Sequence, residues 1–167
     1  MNEHTLFRPE EILTRLVDAG VQFVVIGGLA ARAHGSTSNT QDLDICFARD
    51  GENLQRLAAV LRDISAVRRG LPPDAPAMPP LDARTLRATS LLTMDTRFGA
   101  FDVLANPDPG FDYQTLTRGS QEAQIAGVSV RFAGLDDLIA MKRAAGRPKD
   151  RVELEILGAL REELDRR

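Results

Sequence analysis

Two rhythms of apolar positions run along the chain. Between Arg8 and Ala19, Ile12, Leu13, Leu16 and Val17 fall at helical spacing, with Pro9 near the start and Gly20 as a stop. Val21 to Ile26 reads as a strand buried on both faces. After Gly27-Gly28, Leu29 to Gly35 predicts a short helix and Ser36 to Gln41 a polar loop. Asp42 to Phe47 then alternates carboxylates with large apolar side chains, the period of a strand with one face in a core. Asn53 to Ile64 returns to helical spacing, through Leu54, Leu57, Ala58, Leu61 and Ile64.

The second half is more broken. Gly70 to Pro80 is a proline-rich excursion, read as a surface loop or lid, and Asp82 to Arg87 a short helix. Leu91 to Met94 and Phe98 to Leu104 predict two strands turning at Asp95-Thr96. Phe111 to Thr117 reads as a short helix or an irregular packing segment, and Ala123 to Ala126 with Val128 to Phe132 as a hairpin joined at Gly127. Leu135 to Ala145 predicts a helix ended by Gly146, and Pro148 suits the first turn of a last helix running to Leu164.

The chemistry concentrates in one stretch. Alternation places Asp42 and Asp44 on the same strand face, roughly 7 Å apart. Two carboxylates so placed repel, and Asp is a poor strand former. A divalent cation removes both objections, since Mg²⁺ is held by one or two carboxylates plus substrate phosphates. Upstream, Gly27-Gly28 allows backbone N–H groups close approach to an anion at a helix start. A phosphate cradle beside a carboxylate pair points to phosphoryl or nucleotidyl transfer. On its own, Gly-Gly is only a tight turn.

Bulk properties narrow the classes. A chain of 167 residues is read as one domain, and 43% apolar with 27% charged residues is ordinary for a globular protein. A net charge of −3 disfavours general adhesion to nucleic acid or acidic membranes. One cysteine excludes an intramolecular disulfide and a multi-cysteine metal site. The N-terminus lacks the apolar run of a signal peptide and no stretch is long enough to span a bilayer, so a cytoplasmic location and no membrane partner are expected.

The ordered set Gly27-Gly28, thirteen intervening residues, then Asp42-Leu43-Asp44 resembles the DNA polymerase β-like nucleotidyltransferase superfamily. Ile26-Gly27-Gly28, His34-Gly35, Thr40 and Asp42-Leu43-Asp44 are similar to its minimal bacterial type, related to abortive-infection and toxin–antitoxin nucleotidyltransferases. The resemblance implies an α/β (α+β) fold, a mixed, mostly antiparallel sheet packed by helices. It implies a single domain over 1–167, with 135–167 a helical segment completing the active site. It also implies a third carboxylate from a later strand. Asp102 in Phe101-Asp102-Val103-Leu104 matches, with Asp95 in reserve. Lys142 would face the triphosphate, and Asp150, after Arg147-Pro148-Lys149, would support Lys142 or the acceptor site.

In this reading Asp42, Asp44 and Asp102 are metal ligands for Mg²⁺, as a pair of ions, with Mn²⁺ the alternative. Gly27, Gly28, Thr40 and Lys142 contact the nucleoside triphosphate. The acceptor is RNA, protein or a small molecule, and an antitoxin or second substrate-binding chain is an expected partner. The chain departs from the pattern at Gly28, where relatives often carry serine, and at Ser38, where they frequently carry arginine. For His34 and Cys46, packing beside the turn and half-buried filling are the simpler readings. Arg84 and Arg87 read as solvated charges, and Glu153 as supporting. The rival function is a catalytically inactive nucleotidyltransferase-like binding or regulatory module. Intact Asp42, Asp44 and Asp102 argue against it, and a phosphohydrolase is a third reading.

Overall fold

The computed structural model describes residues 5–167. Among these residues seven helices flank one seven-stranded mixed sheet. In chain order the elements are α1 (Pro9–Asp18), β1 (Phe23–Ile26), α2 (Gly27–Ala33), β2 (Asp42–Phe47), α3 (Gly51–Asp63), β3 (Val67–Arg68) and α4 (Ala83–Ala88). They continue with β4 (Leu91–Thr96), β5 (Gly99–Leu104), α5 (Tyr113–Gly119), β6 (Gln121–Ile125), β7 (Val128–Phe132), α6 (Leu135–Ala145) and α7 (Asp150–Asp165). The strands are ordered β3-β4-β5-β2-β1-β7-β6. Pairing is antiparallel except for β1 with β7 and β2 with β5. The expected mixed, mostly antiparallel sheet is what forms.

The centre of the sheet is where the apolar run demands burial. All four residues of β1 are buried, and in β2 Leu43, Ile45, Cys46 and Phe47 are at most 1% exposed. Helices α1 and α3 contribute Ile12, Leu13, Leu16, Leu54, Leu57 and Leu61 to the same core. Asn53 stitches α3 to the sheet: its amide donates to the carbonyls of Ala48 (2.7 Å) and Gln22 (3.1 Å) and accepts from the Gln22 N–H (2.7 Å). With polar groups so matched, a nearly fully buried asparagine costs little.

Several boundaries differ from the pattern-based expectation. Strand β1 starts at Phe23 rather than Val21. Helix α2 starts at Gly27, so the two glycines are its first residues rather than a turn before it. β4 runs through Asp95 and Thr96, and the chain reverses at Arg97-Phe98. There the Thr96 hydroxyl donates to the Gly99 carbonyl at 2.8 Å and accepts from the Phe98 N–H at 3.0 Å. The β6–β7 hairpin begins two residues earlier than expected and turns at Ala126-Gly127, both at positive φ (49° and 83°), as a two-residue turn matching strand twist requires. Pro148 lies in the turn ahead of α7 rather than inside its first turn.

Candidate active site

Sheet register builds the acidic centre. β2 and β5 run parallel with Asp44 directly beside Asp102, and Asp42 stands two residues before Asp44 on the same face. On β5 the buried residues Phe101 and Val103 alternate with half-buried Asp102 and Leu104, so the mid-strand carboxylate faces away from the core. One carboxylate oxygen from each of Asp42, Asp44 and Asp102 lies within 4.8 Å of the others. Asp95 is not part of this group: it is exposed and pairs with Arg69 at 3.1 Å.

The electrostatics show what such convergence costs. Burial, followed by the charges of Asp42 and Asp102, raises the Asp44 pKa from 3.8 to about 7, against the opposing pull of Lys142. Asp102 is also raised: burial dominates, although the Arg69 guanidinium, donating from Nη2 at 2.8 Å, works in the other direction. Three hard oxygen donors that repel one another form a donor set suited to a divalent cation.

The glycines fit against this centre by necessity. Gly27 has φ +66°, and a Cβ there would lie 2.3 Å from Asp44 Oδ2. A side chain at position 27 therefore collides with the carboxylate and strains the backbone together. A Cβ on Gly28 would meet Thr40 Oγ1 at 2.8 Å, which accounts for the missing serine: Thr40 occupies its place. The Thr40 hydroxyl donates to the Asp42 carbonyl at 3.1 Å, fixing the loop as it enters β2. No side chain caps the start of α2, so its first N–H groups are left for another partner.

Asp42, Asp44, Asp102, Gly27, Gly28 and Lys142 line one cleft of about 920 Å³. Its far wall comes from α6 and α7. Lys142 donates to Asp150 Oδ1 at 3.2 Å, and Arg147 to Oδ2 at 2.8 Å. Burial alone would push the Asp150 carboxyl up, but the hydrogen bonds and charges of Arg147 and Lys142 outweigh it and hold the pKa below 3.8. Asp150 is 3% exposed while Lys142 keeps a foot in the cleft, so the carboxylate aims the ammonium. Glu153, one turn on, accepts from Ser36 Oγ at 3.2 Å and from the Ser38 hydroxyl, tying the loop before β2 to α7.

Some candidates leave the site. His34 Nε2 donates to the Ala133 carbonyl at 2.8 Å, joining α2 to the end of β7. Cys46 is fully buried rather than half-buried, and burial pushes its thiol up to about 12, which leaves it inert. Arg87 is exposed, with its carbonyl accepting from Arg49, and Arg84 lines a second cavity beside β4. The residue that sequence reasoning missed is Arg69, which contacts both Asp95 and Asp102. It follows β3, a two-residue edge strand too short to show any periodicity.

No protein-family model matches the chain, and no curated protein does either. Solved structures do. The lincosamide antibiotic adenylyltransferase LnuA, bound to lincomycin, superposes with a TM-score of 0.61 at 16% identity, over 94% of this chain and 99% of that one. A Thermotoga maritima protein assigned as a nucleotidyltransferase gives 0.55 at 16%, with full coverage of both chains. The complex of ANT(2")-Ia with adenylyl-2"-tobramycin gives 0.54 at 17%, over 93% of this chain and 96% of that one. The chain therefore has the fold of these nucleotidyltransferases, with its three clustered carboxylates on the central strands.

Proposed function

We propose that the protein transfers a nucleotidyl group from a nucleoside triphosphate to an acceptor hydroxyl. The observation carrying this reading is the in-register convergence of Asp42, Asp44 and Asp102 beside the uncapped start of α2 in one cleft. Asp42 and Asp44 would hold Mg²⁺ (or Mn²⁺), a pair of ions in the fullest form, with Asp102 completing the set on the acceptor side. Held by these residues, a divalent cation would supply charge stabilisation for the displacement at phosphorus.

The chain's own groups do the rest. Backbone N–H groups of Gly27 and Gly28 bind the phosphates, and Thr40 holds that cradle against β2. The acceptor oxygen bonds to the α-phosphorus, and the bond from α-phosphorus to the bridging oxygen breaks. Pyrophosphate leaves with the electron pair, its charge offset by Lys142, which Asp150 holds in place. The hydroxyl proton passes to Asp102 or to water beside it.

Three acceptor classes follow from the resemblance: RNA, as for a toxin restrained by an antitoxin in the cytoplasm, a small molecule, and a protein hydroxyl. The second is favoured, because LnuA, spanned almost end to end by this chain, is bound to lincomycin. A protein hydroxyl or an inactive binding module is the competing outcome.

Incubation with α-labelled nucleoside triphosphates, Mg²⁺ and a pool of cellular small molecules, RNA and protein tests the proposal. Label should move to an acceptor with release of pyrophosphate, and Asp42→Ala or Asp44→Ala should abolish it. Inorganic phosphate released without label transfer would instead identify a hydrolase, and metal-independent nucleotide binding without turnover a silent module.

A further inference from the structure

A second cavity, of about 680 Å³, opens beneath the proline-rich loop between β3 and α4. It shares Leu91 and Thr93 with the catalytic cleft, and Thr93 is the register neighbour of Asp102. Arg69, on its wall, reaches Asp102 at 2.8 Å. A ligand in this cavity therefore lies on the side of the acidic centre left for the acceptor.

Its lining has a distinct chemistry. Leu71, Met78 and Leu91 are 46%, 47% and 50% exposed, and they are three of the seven large apolar side chains left exposed among the described residues. They cluster around one hollow rather than scattering, the pattern of a binding surface. Around them stand Arg68, Arg69 and Arg84. Arg68 donates to the Pro79 carbonyl at 2.7 Å, latching the loop, and Arg84 is exposed. Among the described residues neither meets a carboxylate in an ion pair, whereas Arg69 is already paired. The one carboxylate on this wall, Asp82, caps α4 through the Thr85 N–H at 2.8 Å. That hydrogen bond, together with the nearby Arg84 charge, lowers its pKa, which leaves Arg68, Arg69 and Arg84 in excess over it. The catalytic cleft next door is by contrast dominated by carboxylates.

We propose that this cavity is the acceptor site, and that the acceptor is a small hydroxyl compound carrying a phosphate or carboxylate beside an apolar segment. The proposal rests on the nucleotidyl-transfer reading and adds the class of acceptor. Arg68 and Arg84 bind the anion, the exposed apolar trio holds the hydrophobic part, and the hydroxyl extends past Thr93 toward Asp102. A polycationic amino sugar is repelled by the same wall.

The test uses the full chain, isotopically labelled, in solution NMR titrations with four p-nitrophenyl glucosides that share one scaffold. They are the neutral sugar, its phosphate ester, the glucuronide and an amino-sugar analogue. The phosphate or the glucuronide should shift the Leu71, Leu91 and Met78 methyl signals and bind about tenfold more tightly than the neutral compound. The two anionic arms show which anion is preferred. Arg84→Glu, and Arg68→Gln (which keeps a donor for Pro79), should each lower the ratio of anionic to neutral affinity several-fold. Tighter binding of the amino analogue, absence of shifts with either anion, or an undiminished anion preference in both variants overturns the proposal. Titration of the same samples with ATP and Mg²⁺ reads the Gly27 and Gly28 amides separately, so failure of the nucleotide site is distinguished from failure of the acceptor site.

Discussion

Asp44 is where function and stability pull apart most strongly. Its carboxyl is buried between two others, and its pKa stands at about 7 instead of 3.8. The sign follows from proton counting. Between roughly pH 4 and pH 7 the folded metal-free protein holds a proton at Asp44 that the unfolded chain has released. Stability therefore falls as pH rises through that window, and above it the full penalty applies. A shift of that size corresponds to about 4 kcal/mol, and water reaching a carboxylate that is only partly enclosed reduces it to about 3 kcal/mol.

Asp44→Asn keeps the shape and removes the charge. In the presence of a chelator it should stabilise the protein by about 3 kcal/mol at pH 8, or roughly 6 to 12 °C in Tm, and by little at pH 5. The same substitution should abolish nucleotidyl transfer. Urea melts of both proteins at pH 5, 6.5 and 8, with matching m values, measure the difference directly. Added Mg²⁺ should raise the wild-type Tm at pH 8 and leave the variant nearly unchanged. A variant no more stable than wild type at pH 8, or a gain independent of pH, would refute the electrostatic account of the triad.

The other expectations concern the neighbours of that group. Asp102→Asn should lower transfer by at least about a thousandfold in a steady-state assay, with an unchanged circular dichroism spectrum, since in the proposed mechanism it removes a metal donor and the group that takes the acceptor's proton directly or through water. Gly28→Ser should destabilise by about 1–2 kcal/mol through its collision with Thr40, and Thr40→Gly in the same chain should recover most of that in thermal melts. Lys142→Met should raise KM for the triphosphate and lower kcat by about a hundredfold, read in nucleotide titrations of label transfer.

Much of this architecture was legible because the decisive signals are local. Asp42 to Phe47 forms the strand the alternation marks, residue for residue, and Asp102 is mid-strand on the polar face. What escaped was set by partners distant in sequence. β3 exists only as an edge pairing with β4, and no two-residue stretch can display a period. The first residues of β6 are polar and exposed, held as strand by hydrogen bonding to β7 rather than by burial. The reversal after β4 moved because the Thr96 hydroxyl, not Asp95, supplies the turn's hydrogen bonds. Arg69 escaped for the same reason: its role depends on a carboxylate 33 residues away.

The Glu153 contacts make a further prediction about how the cleft is held open for substrate. Loop 36–41 carries Ser38 and Thr40, and among the described residues its side-chain hydrogen bonds to α7 are those of the Ser36 and Ser38 hydroxyls to Glu153. Hydrogen bonds to a charged acceptor contribute roughly 1.5–3 kcal/mol each, more than neutral ones. Glu153→Ala should therefore free the loop locally without unfolding the sheet, since Leu157 still anchors α7 in the core. Amide exchange of residues 36–41 should accelerate by about a hundredfold while exchange in β1 and β5 stays slow. Because Thr40 positions the β2 entry and packs on Gly28, KM for the triphosphate should rise more than kcat falls. Glu153→Gln, whose amide oxygen accepts from one serine while its NH2 can only donate to the other hydroxyl, should recover part of the protection. If exchange in the loop is unchanged in Glu153→Ala, α7 is not what orders the phosphate side of the cleft, and the Thr40–Gly28 packing alone must do so.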